Sequence, residues 1–203
     1  MNNKKVFLLL NGEPPNEIPD LSSYDIICAT DGAYQFLKHN KITPHFISGD
    51  FDSLQELPEN IEVINTPNQD FTDFDKILKI LFDKGFKQIH VFGASGKEQD
   101  HFLGNLHTAL QWKEKLNLTF FDNYSFYFLA DKKTEYKDVK GKTISLIPYP
   151  KATGVITKGL QYTLNNEDLV FGKRIGTRNI ALQNDIKVVY KTGDLFIFIN
   201  NKR

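Results

Sequence analysis

The residues best suited to chemistry in this sequence are aspartates that follow short apolar runs. Asp31 comes directly after Ile26-Ile27-Cys28-Ala29-Thr30. Asp50 and Asp52 follow Phe46-Ile47 in Ser48-Gly49-Asp50-Phe51-Asp52-Ser53. Asp70 and Asp73 precede an apolar-periodic stretch, and Asp100 follows Ile89 to Phe92 and the loop Gly93-Ala94-Ser95-Gly96. Each aspartate alone also reads as a turn residue or a helix cap. Their joint placement after successive strand signals points to a shared site. Carboxylates brought together repel one another unless a cation or bound protons offset the charge. Mg²⁺ suits such a cluster: it prefers hard oxygen ligands, takes one or two carboxylates, and completes its octahedron with water and phosphate oxygens.

Other residues fit the same chemistry. The glycines of Gly93-Ala94-Ser95-Gly96-Lys97 permit close backbone approach, and N–H groups in such a loop can hold an anion. The loop matches neither common glycine-rich nucleotide motif. Lys76 lies three positions after Asp73, away from the apolar face of Phe74 and Leu78, and is placed to contact a phosphate. His101 and Asn105 are spaced to share one helix face, with Asp100 beside them. No second histidine sits at a metal-ligand spacing, which argues against zinc.

These residues need a scaffold that gathers loops from several strands. Val6 to Leu10 is a continuous apolar run, as in a strand buried on both faces. Ile26 to Ala29, His45 to Ser48, Ile61 to Ile64 and Ile89 to Phe92 read as further strands. Between them, Phe74, Ile77, Leu78 and Leu81 recur at helical spacing, with Gly85 as a stop signal. Leu103, Leu106 and Leu110 mark a second helix, and Phe36 with Leu37 a shorter one. Alternating strands and helices predict a mostly parallel sheet with flanking helices, whose carboxyl-end loops share one edge.

The pattern changes near Tyr124. Short strand candidates follow at Ser125 to Leu129, Thr143 to Ile147, Gly154 to Thr157, Asp168 to Phe171, Ile186 to Tyr190 and Leu195 to Ile199. Lys140-Gly141-Lys142, Asn165-Asn166 and Thr192-Gly193-Asp194 read as turns. The expectation is an α/β domain over 1–123, then an all-β domain over 124–203, a sandwich or barrel.

Composition narrows the partners. Lys+Arg and Asp+Glu are each 25, so nothing global points to nucleic acid or an anionic membrane. The single cysteine, Cys28, lies in an apolar run and reads as a buried hydrophobe compatible with a reducing compartment. No segment approaches the roughly 20 apolar residues of a membrane span. A cytoplasmic protein is expected.

Taken together, these segments resemble the thiamin pyrophosphokinase family. The matching pieces are Thr30-Asp31-Gly32-Ala33, Gly49-Asp50-Phe51-Asp52-Ser53-Leu54 and Gln69-Asp70-Phe71-Thr72-Asp73-Phe74-Asp75-Lys76, then Gly93-Ala94-Ser95-Gly96 with Asp100-His101 and Asn105. Gly159-Leu160-Gln161-Tyr162-Thr163-Leu164 and Phe171-Gly172 with Thr177-Arg178-Asn179 resemble its thiamin-side segments. The resemblance implies an α/β catalytic domain, a β-sandwich domain and a homodimer whose active sites are shared between subunits. It implies transfer of pyrophosphate from ATP to the hydroxyl of thiamin, giving thiamin diphosphate and AMP. Asp50, Asp52 and Asp73 then look like the Mg²⁺ and catalytic centre, with Asp100 a further catalytic acid. Asp31, Gly32, Asp70, Lys76, Ser95, Gly96, His101 and Asn105 look like the nucleotide side; Tyr162, Thr177 and Asn179 look like the thiamin side.

Two positions depart from the family pattern. Glu98 stands where an arginine is usual, with Lys97 one residue away, and Arg178 stands where a serine is usual. Arg178 leaves open a pyrophosphokinase for another hydroxymethyl heterocycle, such as a pterin. A non-catalytic sensor of ATP–Mg²⁺ is the remaining alternative.

Overall fold

The computed structural model describes residues 4–51 and 58–200. The chain divides into two compact units, Met1–Asn123 and Tyr124–Arg203.

In the first unit, strand β1 (Lys5–Leu9) is central. Val6, Phe7, Leu8 and Leu9 are all buried, which explains the unbroken apolar run: both faces of the strand are covered. β2 (Ile26–Thr30), β3 (Phe46–Gly49) and β4 (Glu62–Asn65) step outward on one side of β1. The chain then returns, placing β5 (Gln88–Phe92) on the other side of β1 and β6 (Asn117–Phe121) beyond it. Every neighbouring pair is parallel, in the order β4-β3-β2-β1-β5-β6. The strand order therefore reverses between β1 and β5. In open parallel sheets ligands settle in the crevice at the carboxyl edge beside such a reversal.

Three helices connect these strands: α1 (Asp31–His39), α2 (Asp73–Asp83) and α3 (Gln99–Trp112). α2 buries Phe74, Ile77, Leu78 and Leu81, the face its periodicity predicts. Thr72 caps it by accepting a hydrogen bond from the Asp75 N–H at 3.2 Å. α3 departs from expectation. Leu103 is 53% exposed, and burial falls on Leu106, Ala109 and Trp112. The sequence presents two candidate faces, and the Trp112 side wins. Its indole N–H donates to Asp75 Oδ1 at 2.7 Å, and its ring packs against Phe82.

The second unit consists of antiparallel strands: β7 (Ser125–Leu129), β8 (Lys133–Tyr136), β9 (Thr143–Lys158), β10 (Asn165–Val170), β11 (Gly176–Ile180), β12 (Ile186–Val189) and β13 (Thr192–Asn200). β9 organises the unit. Its 16 residues pair with β11 in their earlier part, with β10 and β12 in their later part, and with β13 from Ile144 to Thr153. Thr143 to Ile147 and Gly154 to Thr157 are thus two ends of one strand, joined through Pro148 and Pro150, which interrupt the sequence signal. Asn165-Asn166 and Thr192-Gly193-Asp194 open strands β10 and β13 instead of forming turns. Gly193 has φ of 85°, and a β-carbon there would overlap the Lys151 carbonyl, so the glycine serves close strand approach. The core of this unit includes Val139, Ile144, Leu146, Val155, Leu169, Leu195, Ile197 and Ile199. The whole is a mixed α/β chain with few helices.

Candidate active site

The crevice at the carboxyl edge of the first unit is a cleft of about 570 Å³. Asp31, Asp50, Asp70 and Asp73 line it from the loops beyond β2, β3 and β4; Ser95, Asp100, His101 and Asn105 line it from the loop and helix after β5. Lys76 reaches it from α2. Gly32 and Gly96 do not line the cleft. Asp52 lies outside the described residues.

Asp31 is the most enclosed of these acids, at 8% exposure. Its Oδ1 accepts from the Gly32 N–H at 2.7 Å and its Oδ2 from the Phe51 N–H at 3.0 Å. Gly49 makes this possible: a β-carbon there would overlap the Asp31 carboxyl group. Burial raises the pKa of Asp31; the two N–H donors oppose the rise, and the charges of Asp73 and Asp50 add to it. That mutual influence shows that the acids of three separate loops act within one electrostatic site. Asp50 Oδ2 accepts from Gln69 Nε2 at 3.1 Å.

Lys76 is committed within the protein. Its ammonium meets Asp73 Oδ1 at 2.7 Å and donates to the carbonyls of Thr66 at 2.8 Å and Asn68 at 3.2 Å. Those partners account for its three hydrogens. The lysine fixes the segment after β4 against the first turn of α2, and its charge offsets Asp73. On the opposite side, Asn105 Nδ2 donates to the Ala94 carbonyl at 2.8 Å, tying α3 to the glycine loop. Asp100 Oδ1 accepts from the His101 N–H at 2.9 Å. His101 Nε2 lies 3.6 Å from Glu98 Oε2, both exposed.

Asn11 also lines the cleft, and sequence reasoning did not single it out. Its position directly after a buried apolar run is the same signal that singled out Asp31. Asn11 Oδ1 accepts from Lys97 Nζ at 3.1 Å. The cleft thus holds Asp31, Asp50, Asp70, Asp73, Glu98 and Asp100 against Lys76 and Lys97. An anionic ligand cannot enter such a field without additional positive charge.

The donor set fits Mg²⁺. It consists of carboxylate oxygens from several loops; burial is the main cause of the raised pKa of Asp31, and the charges of Asp73 and Asp50 add to it. Among the described residues no group of three acidic, histidine or cysteine side chains is arranged to hold a metal by itself. Mg²⁺ needs no such cage, because water and substrate phosphates fill most of its coordination sphere.

In the second unit, Tyr162 is 68% exposed, yet its backbone is fixed at both ends by one side chain. Asn179 Oδ1 accepts from the Tyr162 N–H at 3.0 Å, and Asn179 Nδ2 donates to the Tyr162 carbonyl at 2.7 Å. Asn179 Oδ1 also accepts from the Ile180 N–H at 2.9 Å. Thr177 is exposed on β11. Arg178 is exposed with φ of 55°, and its N–H donates to Ser145 Oγ at 3.0 Å.

Comparison with known proteins gives two family matches in chain order. Residues 20–120 match the thiamin pyrophosphokinase catalytic domain, and residues 131–195 its vitamin B1 binding domain. The chain is 31% identical over 197 residues to thiamin pyrophosphokinase 1 of Caenorhabditis elegans, covering 86% of this chain and 80% of that protein. It is 30% identical over 190 residues to thiamine pyrophosphokinase of Bacillus subtilis, covering 86% of this chain and 89% of that one. In fold, it resembles the crystal structure of the Bacillus subtilis thiamine pyrophosphokinase, with a TM-score of 0.84 at 24% identity over 97% of this chain and 99% of that one. A similar likeness holds to thiamin pyrophosphokinase from Candida albicans, with a TM-score of 0.83 at 18% identity over 98% of this chain and 89% of that one.

Proposed function

From the premise that this chain belongs to the thiamin pyrophosphokinase family, we propose that it transfers the terminal pyrophosphate of ATP to the hydroxyl of thiamin. The products are thiamin diphosphate and AMP. The observation that carries this reading is the convergence of Asp31, Asp50, Asp73 and Asp100 at a strand-order reversal, in the unit that matches the catalytic domain.

The thiamin hydroxyl oxygen attacks the β-phosphorus of ATP. The bond from that phosphorus to the oxygen bridging it to the α-phosphate breaks, and AMP leaves with that oxygen. Reactions of this class are catalysed mainly by alignment and by neutralising charge. In this reading Asp50, Asp52 and Asp73 hold Mg²⁺, which when bound supplies positive charge to the phosphate oxygens. Lys76 holds Asp73 in place. Asp31 holds the turn after β3 by accepting from the Phe51 N–H, so that Asp50 faces the cleft. One of Asp50, Asp52, Asp73 and Asp100 accepts the hydroxyl proton. Asp70, Ser95, His101 and Asn105 surround the nucleotide. The second unit, read as a β-sandwich, supplies Tyr162, Thr177 and Asn179 to the thiamin side.

The test is AMP release from ATP and Mg²⁺ with and without thiamin. Thiamin-dependent AMP and thiamin diphosphate are expected; ADP as the product, or release independent of thiamin, overturns the reading. The same assay with a hydroxymethyl pterin addresses the alternative acceptor that Arg178 raised.

The resemblance also implies a homodimer with sites shared between subunits. Co-expression of Asp50→Asn with the double variant Tyr162→Ala/Asn179→Ala tests this. In a mixed dimer with shared sites, one site carries neither defect and activity partly returns. Inactive mixed dimers, verified by differential tags, refute the arrangement. Among the described residues no helix is long and apolar enough to cross a membrane. The proposed location is the cytoplasm.

A further inference from the structure

We infer that Lys97 and Asn11 form a clasp for the phosphate chain of the nucleotide, a role that Lys76 cannot fill from its saturated position. The inference rests on the proposed function and adds binding residues to the same cleft.

Three observations support it. The first is the census of positive charge. Of the two lysines lining the cleft, Lys76 has its ammonium spent on Asp73, Thr66 and Asn68. Lys97 instead donates to a neutral oxygen, Asn11 Oδ1, at 3.1 Å. That contact uses one of its three N–H groups and none of its charge. An ammonium beside a carboxamide gains far more from a phosphate oxygen than from its present partner.

The second observation is position. Asn11 follows β1 and Lys97 follows the β5 loop, so the pair spans the two strands between which the strand order reverses. In open parallel sheets ligands settle at that crevice.

The third is rigidity. The Leu10 N–H donates to the Phe92 carbonyl at 2.8 Å, the Gly12 N–H to Gly93 at 2.7 Å, and the Glu13 N–H to Ser95 at 2.7 Å. These bonds continue the β1–β5 pairing past the strand ends. A β-carbon on Gly12 or on Gly93 would overlap a carbonyl of the opposite loop. The two loops are therefore closed on one another before any ligand arrives, and the clasp is preorganised. Asn11, which lines the cleft, orients the ammonium through its Oδ1, while its Nδ2 packs against Gly32.

The experiment is calorimetric titration of the full chain with ATP and Mg²⁺ in the absence of thiamin, at low and high salt. Lys97→Met is expected to weaken ATP binding roughly tenfold and to flatten its salt dependence. Lys97→Arg should recover most of the loss, and Asn11→Ala should weaken binding by a smaller factor, about threefold. The thiamin KM should stay within about twofold, because that substrate is not anionic. Wild-type ATP affinity in Lys97→Met overturns the clasp and leaves the proposed function standing. An equal loss toward thiamin overturns it as well, since it points to a general disturbance of the site. If the wild type itself binds no ATP, the clasp and the nucleotide reading of the cleft fail together.

Discussion

The two units treat their polar side chains in opposite ways. In the first, carboxylates at strand ends face a common cleft, where burial raises the pKa of Asp31 and the charges of Asp73 and Asp50 add to the rise. In the second, the most buried of the residues expected at the site, Asn179, turns its carboxamide inward and spends it on the Tyr162 and Ile180 backbone. The first unit stores electrostatic tension where a charged ligand relieves it. The second spends hydrogen bonds to fix the backbone that carries an exposed tyrosine. Positioned charge suits the proposed phosphate-transfer centre, and an exposed aromatic ring on a fixed backbone suits the proposed recognition of a flat heterocycle.

The largest expected effect tests the charged centre. Asp50→Asn should lower kcat roughly 100-fold or more, because it weakens the proposed hold on the Mg²⁺ that would neutralise the reacting phosphates. Its melting temperature should stay close to that of the wild type, since Asp50 lies at the cleft and outside the core. Steady-state AMP release with a parallel melt separates the two; near-normal kcat at saturating Mg²⁺ removes Asp50 from the centre.

Gly49→Ala comes next. The added methyl would overlap the Asp31 carboxyl group, so Asp31 must shift and the turn carrying Asp50 with it. A loss of roughly tenfold to 100-fold in kcat is expected from displacement alone. An unchanged kcat shows that the cleft tolerates the shift.

In the second unit the comparison predicts a different signature. Asn179→Ala should raise the thiamin KM about tenfold with little change in kcat, as lost positioning of Tyr162 affects binding before chemistry. Combined with Tyr162→Ala, it should add little further, because both changes remove one feature. Additive losses show that Asn179 meets the substrate independently.

The smallest effect concerns acid stability. All five histidines precede Tyr124, so the first unit alone carries histidine titration. Burial, reinforced by the Lys5 charge, lowers the pKa of His90 to about 4 from 6.5. Between those values the unfolded chain takes up a proton that the folded one refuses, so stability present at neutral pH is lost as pH falls through that window. His90→Gln should remove part of this dependence, on the order of 1 kcal/mol after discounting for the ring's partial exposure. Hydrogen exchange at pH 5 and pH 7.5, resolved by unit, checks it: acid loosening confined to the first unit is expected in the wild type and reduced in the variant.

The legibility of the sequence also differs between the units. In the first, Val6 to Leu10, the Phe74-to-Leu81 period and the aspartates after apolar runs all correspond to observed elements, because parallel strands buried on both faces leave continuous apolar signatures. β6 leaves no signal that was read, and of the leucines that mark α3, Leu103 is exposed while Leu106 is buried. In the second unit, β8 and β11 left no recognisable signal, and β9 was split in two. Strands with one exposed face, register shifts and internal prolines blur the alternation on which such readings depend.

By itself the sequence determined the acid-rich composition of the site, the strand ends that carry it, and the family to which the ordered motifs belong. Local residue types and apolar spacing suffice for these, since each is a property of one short segment. Only the tertiary structure decided how the side chains divide their hydrogen bonds. It revealed Lys76 saturated by Asp73 and two carbonyls, Lys97 meeting the neutral Asn11, and Asn179 committed to the Tyr162 backbone. The partners in the last two of these arrangements are 86 and 17 residues apart. A hydrogen bond is settled by distance and direction in space, and the strand order that brings β1 beside β5 is what sets the Asn11–Lys97 distance.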